Sequence, residues 1–268
     1  MAVCQDPRLT YMNDLGYNVV RLPRTGIKPL GVLGRDNKTI NYLGTLDQIW
    51  NTSATPPSPG APNSVSALAG QATSDIKLSV GLDILANALS GMFGAAAPSL
   101  KFAYNKAKSV QFKFGEVQTV GIDPFVVGNY LASGDLKDGN AFVARFFHAP
   151  ETEAFVITEI LQAKSISVTA KADSGSEVGV DVPAIQSTLG AKVNVTTSSS
   201  SNTDVTYTGN EYLTFGFKVF GIAIIDGTWQ VHGVPPSANI SFAPGAQLEP
   251  ILLSRSGRLD IASADSKW

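Results

Sequence analysis

Cysteine occurs once, at Cys4, so the chain forms no intramolecular disulfide and no cysteine-based metal site. Histidine occurs only at His148 and His232, in unrelated contexts, and His148 is expected at a strand end. HExxH, Cys-x-x-Cys, G-x-S-x-G and P-loop spacings are all missing. The acids Asp135, Asp138, Glu151 and Glu153 fall in turn-like segments, so a catalytic role has no constellation behind it and no enzyme or metal is expected. Charged residues make up 16% of the chain and the formal net charge is -2, so whole-protein charge argues neither for nor against nucleic acid, and no nucleic-acid partner is expected because no recognised binding module is present. No run of 18 or more apolar residues exists, so no helix is expected to span a bilayer. The first residues, MAVCQDPRLTYMNDLG, lack a basic region followed by an apolar one, so the chain is expected to be made and kept in the cytosol.

Gly, Ser and Thr are plentiful, which favours a β-rich globular protein, and 268 residues suffice to bury a core. Four stretches alternate apolar and polar residues at strand period. In the first, Ile76, Leu78 and Val80 alternate with Lys77 and Ser79; in the second, Val110, Phe112 and Phe114 alternate with Gln111 and Lys113. The third sets Ile166, Val168 and Ala170 against Ser167 and Thr169, and the fourth Ala191, Val193 and Val195 against Lys192 and Asn194. Successive strand side chains point to opposite faces, so each stretch has an oily face and a wet one. Each is expected to be more exposed than an ordinary core strand. A soluble sheet uses this pattern, and so does a membrane β-barrel.

Along the chain, residues 6 to 16 read as a short helix, and Tyr17 to Leu22 and Gly31 to Leu33 as short strands. Asn51 to Ser74 is rich in Pro, Ser, Ala and Gly and reads as a loop. From Leu82 to Phe93, Leu85, Ala88, Leu89 and Met92 recur at helical spacing, as in a helix packed on a sheet or one touching a membrane. Lys101, Lys106, Lys108 and Lys113 follow with no acid between them and Phe102, Tyr104 and Phe112 interleaved. Such a run is a solvated face, or else suits an anionic lipid surface, where each Lys contributes about 1 kcal/mol.

Residues 125 to 133 and 141 to 147 supply core matter, and Phe155 to Lys171 is a long strand. DSGSE at Asp173 to Glu177 is a turn; Val178, Val180 and Val182 restart the alternation, and AIQSTLG after Pro183 suits a short helical turn. Thr196 to Asn202 is a Ser/Thr-rich hairpin tip, and YLTFGFKVFGIAII returns as a central strand. The tail, GVPPSANISFAPGAQLEP, reads as an accessible connector. After it Ile251, Leu252, Leu253, Leu259 and Ile261 supply apolar surface, either for a lid or for a last element completing the core.

The opening MAVCQDPRLTYMNDLGYNVVRLPRTGIKPLGVLG resembles the start of bacterial gasdermins, with a cysteine near the terminus and a GYxxVRLPRxGIxPLxVLG-like segment. ILQAKSISVTAKADSGSEVGVDVPAIQSTLGAKVNV is similar to the second hairpin region of animal gasdermin pore-forming domains, and a YLTFGFKVF-like strand follows. The resemblance covers nearly the whole chain. It implies an α+β fold: a twisted central, mostly antiparallel sheet surrounded by helices, with a short C-terminal inhibitory segment. Residues 1–245 would be the pore-forming part and 246–268 the inhibitory peptide.

The resemblance further implies a cell-death effector of antiphage defence, monomeric at rest in the cytoplasm. A caspase-like or other protease would cut near Ala243, Gly245, Leu248 or Arg255. The freed part would assemble as a homo-oligomer on anionic lipids of the inner membrane. About Ile76 to Glu116 and Phe155 to Tyr207 would enter a large β-barrel. Cys4, by residues alone an incidental thiol or an S-acylation site, matches the family's palmitoylated cysteine; no other cofactor is implied. Without the resemblance, the residues also suit a β-rich binding or structural module such as an adhesin or phage fibre.

Overall fold

The computed structural model describes residues 17–36, 39–65, 72–73, 75–93, 100–137, 139–149, 151–189, 194–197, 201–233, 240–242 and 251–253. Two long antiparallel strands, β10 (Thr152–Lys171) and β12 (Asp204–Ile225), organise it, pairing from Ala154↔Ile222 to Thr169↔Asp204. Three short strands follow one another along the outer side of β10: β2 (Gly31–Asp36), β8 (Gln118–Gly121) and β7 (Ser109–Gly115). Three more flank β12: β13 (Thr228–His232), β1 (Asn18–Arg24) and β11 (Asn194–Thr197). β3 (Thr39–Thr45), β5 (Asn63–Ser64) and β6 (Ile76–Lys77) add to β2, β8 and β7. All these pairs are antiparallel.

The two ends of this sheet are covered differently. The upper half carries the helices α3 (Pro124–Ala132) and α4 (Ala141–His148) and one shorter helix before Trp50. Asp123 caps α3 by accepting from Phe125 N at 2.8 Å, with Pro124 in the first turn, and Asn140 caps α4 by accepting from Val143 N at 3.1 Å. Val127, Leu131 and Val143 from these helices pack with Val156, Ile222, Trp50 and Trp229. Trp229 stands edge-on to Trp50 at 5.4 Å and donates from Nε1 to Asp135 Oδ1 at 2.6 Å. The strands around Trp50 and Asp135, β4 (Trp50–Asn51) and β9 (Asp135–Leu136), pair separately, and α1 (Leu46–Ile49) leads into β4 behind a Thr45–Gln48 capping box. A second cluster of this half gathers Ile27, Leu33, Phe155, Ile157 and Phe217.

Halfway down, the ladder breaks. Ala163 faces Leu213 but Ser165 faces Thr208, so residues 209–212 bulge opposite Lys164. On the other flank, β7 turns into β8 through Glu116, whose φ of 50° lies in the left-handed region. Below this line lies a panel of β11, lower β12, lower β10, β7 and β6. It is covered by α2 (Leu78–Phe93), the turns of residues 100–107 and α5 (Val182–Leu189).

Several expectations change. Only Ile76 and Lys77 of the first alternating stretch are strand; Leu78 and Val80 begin α2, because the stripe Leu82, Leu85, Ala88 and Leu89 buries better as a helix on the panel. The alternating strands are also not more exposed than a core: Val110 and Val168 are 0% exposed and Phe112, Ile166 and Val195 are buried. Val178 and Val180 form no ladder of their own, Glu177 alone bridging Lys171, and Val182 opens α5 behind Asp181, which accepts from Ala184 N at 3.1 Å. His148 ends a helix, not a strand. Residues 6 to 16, Ala191 and Val193 lie outside the described residues.

Candidate functional site

The lower panel is where the alternating residues come together. Register places Val195, Tyr207, Ile166 and Phe114 side by side across four strands, and below them Val205, Val168 and Phe112. The next row holds Ala170, Val110 and Ile76. These side chains share one face, because neighbours in register point the same way. Leu82, Leu85, Ala88 and Leu89 of α2, with Leu100, Ala103, Tyr104 and Ala107 and with Val182 and Ile185 of α5, complete the same core. At roughly 1.5–3 kcal/mol per buried large aliphatic side chain, the α2 stripe alone is worth several kcal/mol.

The opposite face is polar. Ser167 and Thr206 hydroxyls meet at 2.6 Å, Lys113 pairs with Asp204 at 3.5 Å and Lys171 with Asp75 at 3.8 Å. Thr169 Oγ1 and Asp204 Oδ1 are buried with no hydrogen-bond partner.

α2 is held by packing more than by propensity. Lys77, a strand residue without capping oxygens, precedes it, and its 16 residues include Gly81, Gly91, Ser79, Asn87 and Ser90. Gly81 lets the helix lie against β7, since a Cβ there would come within 2.2 Å of Val110 Cγ2.

Cross-links tie the covering segments to the strands and to one another. Tyr104 and Tyr207 hydroxyls hydrogen-bond at 2.8 Å inside the core. Burial pushes both hydroxyls above the ordinary tyrosine value, so the bond stays neutral at physiological pH. Asp181 N donates to Ala103 O at 3.1 Å, joining the residues before α5 to those after α2. Phe114 stacks on Phe215 at 4.6 Å across the break between panel and upper half. None of these ties was anticipated from sequence, although two tyrosines on oily faces are a signal, since a buried hydroxyl needs a partner.

The basic run splits. Lys101, Lys106 and Lys108 are exposed and Lys113 is half-buried in its ion pair; beside them Phe102 is 45% exposed while Tyr104 is buried. β14 (Ile240–Phe242) and β15 (Ile251–Leu253) form a hairpin of their own, with Ile240 opposite Leu253 and Phe242 opposite Ile251. β15 lies beside β1 and β14 beside β3. Ile251, Leu252 and Leu253 are thus placed in a strand, and the expected boundary at 245 lies outside the described residues. Cys4, Ala243, Gly245, Leu248, Arg255, Leu259 and Ile261 lie outside the described residues. Among the described residues no group of three His, Cys, Asp or Glu side chains gathers as metal ligands. No described helix is long and apolar enough to cross a membrane.

The profile of the Bacterial Gasdermin Family matches residues 20–232. A gasdermin bGSDM from Vitiosangium sp. (strain GDMCC 1.1324) is 35% identical over 266 residues, 97% of this chain and 99% of its own. One from a Desulfuromonadales bacterium is 29% identical over 84% of this chain and 85% of its own. A solved structure of a bacterial gasdermin from Bradyrhizobium tropiciagri superposes with a TM-score of 0.65 at 14% identity, covering 89% of this chain and 93% of that one, a likeness of fold.

Proposed function

This chain belongs to the bacterial gasdermin family, and on that premise we propose that it is a pore-forming cell-death effector, locked until its C-terminal segment is cut away. The observation that carries this reading is the lower panel. Among the described residues its continuous apolar face is covered by segments of the same two regions, Ile76 to Glu116 and Phe155 to Tyr207, and its other face is polar.

If α2, residues 100–107 and α5 leave the panel, the amphipathic strands β11, β12, β10, β7 and β6 remain with open edges. Hydrocarbon leaves unpaired N–H and C=O groups unsatisfied, so such strands cross a bilayer only as a closed barrel, which one copy cannot make. Many copies assembling on the membrane satisfy every group. As a strand, the 16 residues of α2 would extend roughly 50 Å, ample for a hydrocarbon core of about 30 Å.

In this reading a caspase-like or other protease cuts near Ala243 to Arg255. A cut between β14 and β15 takes β15 from beside β14 and β1 and frees the body. The cut chain then moves from the cytoplasm to anionic lipids of the inner membrane, in defence against phage. Palmitoylation of Cys4 would add about 0.8 kcal/mol per buried CH2 to that attachment. The work is assembly and insertion, with no reaction catalysed, no nucleic acid bound and no other cofactor.

The experiment is expression in bacteria of the full chain and of one ending at residue 245, with a membrane-impermeant dye outside. Rapid dye entry with the truncated chain alone is expected; a folded truncated chain that admits no dye would return the protein to the class of β-rich binding modules. Cys4→Ala is expected to weaken killing while leaving the unfolding midpoint in place.

A further inference from the structure

We propose that the ladders already present at rest fix the register of both membrane hairpins, and with it the depth of each residue in the bilayer. The inference rests on the pore-forming reading and goes beyond it to named residue pairs.

The first hairpin is already begun. Ile76 faces Val110, Lys77 faces Ser109, and Leu78 N donates to Lys108 O at 3.0 Å although Leu78 already opens α2. Nearer the root, Ala72 bridges Lys113, one residue off this register. Continued outward one pair at a time, the ladder sets Leu82 opposite Tyr104, Ile84 opposite Phe102 and Ala86 opposite Leu100, and closes at Phe93. A slip by one residue would set these apolar positions against Lys101, Ala103 and Asn105 and is excluded by the pattern. A slip by two is not, and there the existing pairs choose.

The second hairpin extends the β10–β12 ladder. From Val168↔Val205 and Thr169↔Asp204 the same register brings Ser176 opposite Thr197 and Val178 opposite Val195. At rest Val195 instead faces Tyr207, and Val178 N donates to Ala170 O, so both must leave their partners. That Val meets Val and Ser meets Thr is a check the resting pairs did not supply.

The β7–β10 ladder aligns the two hairpins. Continued from Ala170↔Val110 and Lys171↔Ser109, it sets Ser174 beside Lys106, Ser176 beside Tyr104, Val178 beside Phe102 and Val180 beside Leu100. On the face turned to lipid, Lys106, Lys108, Ser174 and Ser176 lie among Val80 and Leu82, and the next level outward is wholly apolar, with Ile84, Phe102, Val178 and Val195. That is the order of head groups followed by hydrocarbon, with Tyr104 at the boundary where barrels carry aromatic girdles. Lys77, Asp83, Lys101, Lys171, Glu177 and Asp204 all fall on the other face, toward the lumen. Leu85 and Leu89 fall there too, the residue of a segment that must also read as a helix, where both are buried.

The test uses the cut full-length chain on vesicles containing anionic lipid. Directly opposed strand residues lie within disulfide reach, those two positions further along do not. Under a mild oxidant, Val178→Cys/Val195→Cys is expected to cross-link in vesicles that leak and not in solution, and Val180→Cys/Val195→Cys to stay largely free. The reverse yields, or equal cross-linking in solution, would overturn the register. Should the paired variants fail to fold, single-cysteine dyes at Lys101, Phe102 and Lys106, all exposed at rest, carry the test. Phe102 is expected to report a deep apolar site, Lys106 a shallow one and Lys101 water; any other order contradicts the depth assignment. Absence of leakage from the unsubstituted cut chain overturns the pore reading itself, and the registers with it.

Discussion

The upper half of the sheet and the panel below it are built from the same two strands, yet the long helix α2 on the panel is made differently from α3 and α4. Around Trp50 and Trp229, α3 and α4 begin at capping residues Asp123 and Asn140. Trp229 is fixed by an indole hydrogen bond and by edge-on rings of Trp50 and Phe147. Below the bulge at residues 209–212, α2 starts straight from a strand and carries two glycines, and its sequence satisfies two periods at once. One half has a single good solution. The other is folded in one of two, and what holds it there is contacts, not local preference.

Substitutions separate these roles. The largest effect is expected from Leu131→Ala, a fully buried residue of α3, which should lose about 2–5 kcal/mol of unfolding free energy and impair the cut chain as much as the intact one. Leu85→Ala in α2 should cost a similar amount in urea unfolding of the intact chain, yet make the cut chain permeabilise vesicles faster, since Leu85 stabilises only the covered form. Equal impairment by both would erase the distinction between the halves.

Smaller changes refine it. Gly81→Ala forces a methyl against Val110 and should destabilise the intact chain by roughly 1–3 kcal/mol, read from its melting temperature. Tyr104→Phe strands the Tyr207 hydroxyl and should cost about 1–3 kcal/mol. Adding Tyr207→Phe should recover part of that loss, a coupling a double-mutant cycle measures directly. Lys113→Ala breaks a half-exposed pair with Asp204 and should change stability by no more than about 1 kcal/mol.

The difference between the halves also explains what the sequence discloses. The long strands β10 and β12 and the alternation in β7 are legible because one face of each is apolar. Leu78 and Val80 mislead for a physical reason: they alternate correctly for a strand and are held in a helix by Leu82, Leu85 and Leu89 on the panel. Residues 125 to 133 and 141 to 147 register in the sequence only as apolar matter, and the structure makes them the helices α3 and α4. Long-range ties such as Tyr104 to Tyr207, and the β14–β15 hairpin, depend on tertiary pairing that local periodicity does not encode.

The central claim is that cutting near residue 245 converts a covered panel into a membrane pore. Dye release from anionic liposomes, comparing the intact chain with one cut at an engineered site beside Gly245, tests it most directly. Release only after cutting, with rings visible by electron microscopy, is the predicted result. A cleanly cut and still folded chain that releases no dye would contradict it.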